Sequence, residues 1–326
     1  MDKIISEWIT MLEPGEPQTH ENMTVFPIPN PTSGGPRYIS LSAALRVQSI
    51  VVTEVDQGGS VPELKVINKG ALPVLLLDGE ELAGAKQNRV LNTTILVPKM
   101  SELIIPVSCT EEGRWSWSSP EFYESKLIMS QKIRRSKMRH VTVSLAEEQG
   151  FASDQSAVWN DIGDLHRKAG TKSASGSMED SFTGRQKDLD AYLKAFPLRE
   201  NQSGMLVVLN GKAAGADVIT RTEAYADLHD KLIRSYAMDA LLDKPNPEPL
   251  HTGKWDTFRK AALACRTESY DSAGHGKDHR LSGNNVVGSA LTYRGACIHL
   301  ALFRTDGVAG PVQMSRMSMR REYRID

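Results

Sequence analysis

Ile4, Ile5, Trp8, Ile9 and Leu12 recur at helical spacing ahead of Glu13, which predicts an amphipathic opening helix docked on the body of the protein. A turn-rich stretch with Pro14, Gly15 and Pro17 follows, then a strand over 23–28 and a loop over 29–36 centred on Gly34 and Gly35. The region 41–50 reads as a short helix. Apolar, β-branched runs at 50–55, 64–67, 74–77, 90–97 and 103–107 read as strands. The first third is therefore mostly β.

The middle changes period. Val158, Ile162 and Leu165 predict a helix over 155–168, and 189–196 reads as a short one. Between them, 170–184 is rich in Ser, Gly and Thr, with Met178 and Phe182 its only large apolar residues, and reads as a surface loop or flexible linker. A strand over 205–209 precedes a helix over 222–242, and 255–265 reads as a second helix. The runs 286–293 and 296–303 pair as a hairpin around Arg294-Gly295. This order predicts an α+β fold of mainly antiparallel sheets with packed helices. It has the opening helix within 1–20, one domain over 21–305 and a tail over 306–326 that contains Arg316, Arg320, Arg321 and Arg324.

One internal echo bears on this. Leu75-Leu76-Leu77-Asp78-Gly79-Glu80 before Ala83-Gly84-Ala85 resembles Val207-Val208-Leu209-Asn210-Gly211-Lys212 before Ala214-Gly215-Ala216. Chance recurrence and duplication weigh equally. Duplication would give two related halves, 21–150 and 185–305.

Composition narrows the class. The chain has 326 residues, 40% hydrophobic and 24% charged, with a net charge of -1. That is ordinary for a soluble globular protein, and bulk charge points to no polyanion partner. Three scattered cysteines make no disulfide framework, so a reducing cytoplasm is expected. No run approaches the ~18 apolar residues of a membrane span, and Glu7 and Glu13 interrupt any signal-peptide reading of the first residues.

The chemistry concentrates in two runs. Gly79-Glu80-Glu81-Leu82-Ala83-Gly84-Ala85-Lys86-Gln87-Asn88-Arg89 follows an apolar strand, and Ser108-Cys109-Thr110-Glu111-Glu112-Gly113-Arg114-Trp115 ends another. Gly84 permits close backbone approach. Lys86, Gln87, Asn88, Arg89 and Arg114 offer donors suited to phosphate or carboxylate. Glu80 or Glu81 would act as general base or ribose acceptor, Glu111 is a further catalytic candidate, and Trp115 or Trp117 would stack on a base or sugar. Cys109 is a candidate nucleophile, but no histidine lies near it in sequence, and a buried inert thiol is the competing reading. A divalent ion held by Glu80, Glu81 or Glu111 is compatible with these oxygen donors, and nothing in the spacing demands one. A solvated turn, or a structural keystone built by Gln87, Asn88 and Arg89, is the bland alternative.

Other clusters carry less. His275 and His279 have the spacing of half a metal site, but Gly274 and Gly276 argue against a helix, so a mobile polar loop is expected. The run Lys132, Arg134, Arg135, Lys137, Arg139, His140 reads as a solvated face without the interleaved aromatics of a nucleic-acid binder. There is no Walker P-loop, strand-linked Gly-x-Gly-x-x-Gly, Gly-x-Ser-x-Gly elbow, His-Glu-x-x-His or paired Cys-x-x-Cys.

The motif Gly-Glu-Glu-Leu-x-Gly-Ala-Lys-Gln-Asn-Arg over 79–89, with Asn92, Leu96-Val97-Pro98 and Ile-Pro-Val-Ser-Cys-x-Glu-x-Gly-Arg-Trp over 105–115, resembles the ARG and rhodanese-phosphatase-superfamily-associated protein domain. Gln155, Val158-Trp159 and Arg234-Ser235-Tyr236-Ala237-Met238-Asp239 fit as well, so the resemblance covers about 20–305. It implies a prokaryotic domain associated with ADP-ribosylglycohydrolase-like and phosphatase-like proteins, which become candidate partners. It also implies ADP-ribose or nucleotide metabolism in conflict or stress systems, and brings no catalytic residues to carry over. Two functions stay open: binding or processing, such as hydrolysis, of an ADP-ribose-like nucleotide, and a non-catalytic sensor or docking module.

Overall fold

A computed structural model describes residues 1–32, 34–245 and 254–305. The chain runs α1 (Lys3–Met11), β1 (Gln18–His20), β2 (Met23–Pro29), β3 (Ile39–Ser40), α2 (Leu41–Arg46), β4 (Ile50–Glu54), β5 (Glu63–Asn68), β6 (Val74–Leu76), β7 (Glu80–Gly84), β8 (Arg89–Leu91), β9 (Ile95–Val97), β10 (Ser101–Cys109) and β11 (Phe122–Ile128). It continues with α3 (Gln131–Ala146), α4 (Gln155–Ala169), α5 (Met178–Gly184), α6 (Gln186–Ala195), β12 (Gln202–Leu209), β13 (Lys212–Ile219), α7 (Thr222–Leu242), α8 (Lys254–Leu263), β14 (Arg266–Asp271), β15 (Lys277–Ser282), β16 (Val286–Tyr293) and β17 (Ala296–Arg304). The fold is α+β. Two compact units result among the described residues, one from 1–40 with 187–305, the other from 41–186. The tail 306–326 lies outside the described residues.

The first unit is an antiparallel sheet of eight strands in the order β1-β2-β12-β13-β17-β16-β15-β14. Side chains alternate across a strand. Ala216, Val218, Leu300 and Leu302 thus face one apolar cluster with Ile5, Trp8 and Ile9 of α1 and Phe258 and Ala262 of α8. Asp217, between Ala216 and Val218, meets Tyr236 of α7, whose hydroxyl donates to Asp217 Oδ2 at 2.8 Å. Helices cover both faces, so β12 is buried along its whole length. Asn210 (φ 45°) and Gly211 (φ 70°) close the β12–β13 hairpin, and Arg294 (φ 49°) and Gly295 (φ 77°) close β16–β17, both in the left-handed geometry of tight hairpins.

The second unit holds an antiparallel sheet in the order β11-β7-β8-β10-β5-β4, and a separate pairing of β6 with β9. The internal echo is not repeated in pairing. Leu209 pairs with Lys212 across its turn, whereas β6 pairs with β9 and β7 pairs with β8 and β11.

Four expectations change. The strand over 90–97 is two strands, broken at Asn92–Thr94, because these polar groups bond elsewhere. Ser108 Oγ donates to Asn92 Oδ1 at 2.7 Å, Asn92 Nδ2 donates to Phe151 O at 3.0 Å, and the Asp78 N–H donates to Thr94 Oγ1 at 3.1 Å. The loop over 170–184 contains α5, whose Met178 and Phe182 bury one turn apart. The basic run lies on α3, with Arg134 and Lys137 fully inside. The stretch at His279 is strand β15, not a mobile loop. Pairing on both sides buries His279 between Ser269 Oγ and Thr292 Oγ1, each at 2.7 Å. No helix among the described residues is long and apolar enough to cross a membrane.

Candidate functional site

The motif run forms the β7–β8 hairpin and its turn. Gly84 (φ 112°) and Ala85 (φ 42°) start the turn. A Cβ on Gly84 would stand 2.4 Å from Ser119 Oγ and 3.0 Å from Glu121 O, so glycine is required there. Register sets which motif residues meet. Arg89 pairs with Leu82 and Cys109, while Val90 pairs with Glu81 and Ser108. Directly paired residues share a face and their neighbours take the other. The sheet thus parts Arg89 and Cys109 from Glu81 and Ser108.

Arg114 ties the turn together. Its Nε and Nη2 donate to Glu111 Oε2 at 2.8 and 2.6 Å, its Nη1 to Ala85 O at 2.8 Å, and its Nη2 to Asn88 Oδ1 at 3.0 Å. Asn88 Oδ1 also accepts from the Gly84 N–H at 3.1 Å. Gln87 Nε2 donates to Glu111 O, and Gln87 accepts from Arg89 Nη1 at both its backbone and side-chain oxygens, each at 3.0 Å. Gln87, Asn88 and Arg114 therefore hold the protein's own backbone. On α4, Gln155 grips the Cys109 N–H and C=O at 2.8 and 2.9 Å, mimicking a further strand.

The carboxylates are kept apart. Glu80 Oε2 accepts from the Leu77 N–H at 3.1 Å. Glu81 is fully buried and accepts from Thr110 Oγ1 at 2.6 Å. Burial pushes its carboxyl up to about 8, against the Thr110 bond, with Glu179 and Glu111 adding repulsion. Burial raises Glu111 too, but the hydrogen bond and charge of Arg114 outweigh it and hold that carboxyl below its ordinary range. Among the described residues, no group of three or more His, Cys, Asp or Glu side chains is placed to share a metal ion. Cys109 is sealed beneath the sheet, and burial pushes its thiol up to about 11, so it stays protonated near neutral pH.

One buried motif side chain, Lys86, lies against exposed indoles. Lys86 Nζ stands 5.4 Å from the Trp115 ring and 5.5 Å from the Trp117 ring, and donates to Gly58 O. Both indoles are exposed, Trp117 by half. Below them the Arg89 guanidinium lies 5.5 Å from the Trp115 ring, and its Nη2 is 3.8 Å from Glu54 Oε1. Glu54, Asp78 and Lys137 all lie outside the two motif runs. A signal existed for Glu54: it continues the buried phase of Ile50 and Val52 along β4, and a carboxylate in an apolar phase marks a buried polar partner.

A family model described as the ARG and Rhodanese-Phosphatase-superfamily-associated Protein domain matches residues 11–303. No curated protein and no solved structure matches the chain.

Proposed function

Because the chain belongs to the ARG and Rhodanese-Phosphatase-superfamily-associated Protein domain family, we propose that it binds a phosphorylated nucleotide of the ADP-ribose type, as a sensor or carrier without turnover. The observation that carries this reading is the Lys86 ammonium set between the two exposed indoles of Trp115 and Trp117. Indoles offer π-faces for a base, and a lysine beside them attracts an anionic ligand. The family name, with its phosphatase association, is consistent with a phosphate-bearing ligand.

Binding is favoured over processing by the state of the candidate catalysts. Glu81 is out of reach of solvent, Glu111 is held by Arg114, and Cys109 is a protonated thiol. A general base needs hydrogen-bond reach to its proton, which a sealed carboxyl lacks. Docking on an ADP-ribosylglycohydrolase-like or phosphatase-like protein is the second reading, favoured by the exposed Trp117 and Tyr123.

Calorimetric titration with ADP-ribose, ADP and adenosine tests the first reading, with chromatography of the mixtures for turnover. Binding of ADP-ribose without new products, lost in Trp117→Ala, is the expected result. No heat with any of the three compounds would leave the docking reading, and new products would make the protein an enzyme.

A further inference from the structure

Arg89 is fully buried, yet only one edge of its guanidinium makes hydrogen bonds, the other facing Glu54 at ion-pair distance. Nη1 donates to the two oxygens of Gln87, while Nε and Nη2 have no hydrogen-bond partner among the described residues. A buried unsatisfied donor is costly, more so when charged, so native structures rarely keep one without a purpose. Beside this edge Glu54 presents a second orphan. Its Oε1 accepts from the Lys86 N–H at 3.4 Å and lies 3.8 Å from Arg89 Nη2, and its Oε2 has no hydrogen-bond partner among the described residues. The Trp115 indole and Gly59 close the space above. A Cβ on Gly59 (φ 76°) would stand 3.4 Å from both Glu54 Oε2 and Trp115 Cζ2, and 3.1 Å from Lys86 Cδ. Glycine is what lets this loop lie so close.

We propose that the Nε/Nη2 edge of Arg89, with Glu54 beside it, is a tetrahedral-oxyanion subsite that receives a phosphate group beneath Trp115. The inference rests on the nucleotide reading above for the source of that phosphate, and it assigns the phosphate's place. The free edge of a guanidinium matches two oxygens of a phosphate bidentately. Glu54 fits beside an anion only as the neutral acid, donating its O–H to a third oxygen. Burial raises the Glu54 carboxyl above its ordinary range, and Arg89 offsets this only in part. The charged or titratable groups around it are Arg89 on β8, Lys86 in the β7–β8 turn, Asp56 in the covering loop and Cys109 on β10. Entry requires the loop carrying Gly58 and Gly59 to lift, which breaks the Lys86 Nζ bond to Gly58 O.

Sulfate is the probe, because its charge is constant over the range in which phosphate titrates. Melting temperatures are measured with sodium sulfate against sodium chloride at equal ionic strength, at about pH 5.5 and about pH 7.5. The expected result is a sulfate-specific rise that is larger at the lower pH. Glu54→Gln keeps the shape without the titration and should bind sulfate equally at both. Arg89→Lys should weaken sulfate about tenfold by loss of the fork, and Glu54→Gln carries the test if that variant does not fold. Sulfate should also raise the apparent Kd of ADP-ribose about tenfold and leave that of adenosine unchanged. Identical melting in sulfate and chloride at both pH values, with ADP-ribose still bound, would overturn the subsite and leave the nucleotide face standing. A sulfate-specific rise in a protein that binds no nucleotide would keep the subsite, with a free anion as its ligand, and end the nucleotide reading.

Discussion

Lys137 Nζ lies 2.5 Å from Asp78 Oδ1, with both side chains buried. The same ammonium donates to Leu91 O at 2.8 Å and Asn92 O at 3.1 Å. One lysine on α3 thus holds the start of the motif hairpin and the point where β8 leaves the sheet. Lys137→Met would leave Asp78, among the described residues, with the ion pair to Arg134 Nε at 3.7 Å. Breaking a buried pair by removing one partner costs about 3–5 kcal/mol. Urea unfolding should show a loss of that order for Lys137→Met and for Asp78→Asn, and a double variant less damaged than the sum. Strict additivity would contradict the pairing.

Glu81 makes stability depend on pH. Its folded-state carboxyl titrates at about 8 against an ordinary 4.5, so the native state keeps a proton that the unfolded chain has lost. Stability is then greatest below the unfolded value and declines as pH rises through this window. Glu81→Gln has no such proton. It should gain on the wild type by on the order of 1 kcal/mol per pH unit as pH rises from about 5 to about 8. Parallel stability profiles for the two proteins would refute this.

Arg114 acts on the turn through Glu111, Ala85 and Asn88 together. A lysine cannot reproduce that fork. Arg114→Lys should cost about 2 kcal/mol in denaturant unfolding. A variant of full stability that lost nucleotide affinity would instead put Arg114 on the ligand.

Cys109 should be inert in the folded protein. Its thiol is buried and raised to about 11, and thiolate is the reactive form. Iodoacetamide near neutral pH should label it only after unfolding in urea, and Cys109→Ser should keep nucleotide affinity. Rapid native labelling, mapped by peptide mass spectrometry, would return Cys109 to the list of nucleophiles.

Much of the fold is legible where periodicity and burial agree. Helix α7 starts at Thr222 and ends at Leu242 as its apolar spacing predicts, and the β16–β17 hairpin turns at Arg294-Gly295. Helix α3 is not legible this way, because two of its inward positions, Arg134 and Lys137, carry charge and break the apolar stripe. Helix α5 has only Met178 and Phe182 to mark it among polar residues. The motif runs converge in space, since β8 and β10 are paired. Two things stay hidden in their linear order. Glu81 and Arg89 face opposite sides of the sheet, and Arg89 meets Glu54, which lies 35 positions earlier in the chain.

The central claim is that Trp115, Trp117 and Lys86 receive a phosphorylated nucleotide. Tryptophan fluorescence during titration with ADP-ribose tests it most directly, in the wild type and in a Trp115→Phe/Trp117→Phe variant that keeps Trp8, Trp159 and Trp255. Saturable quenching in the wild type that disappears in the variant is the predicted result. A flat wild-type titration, or equal quenching in both proteins, would contradict the claim.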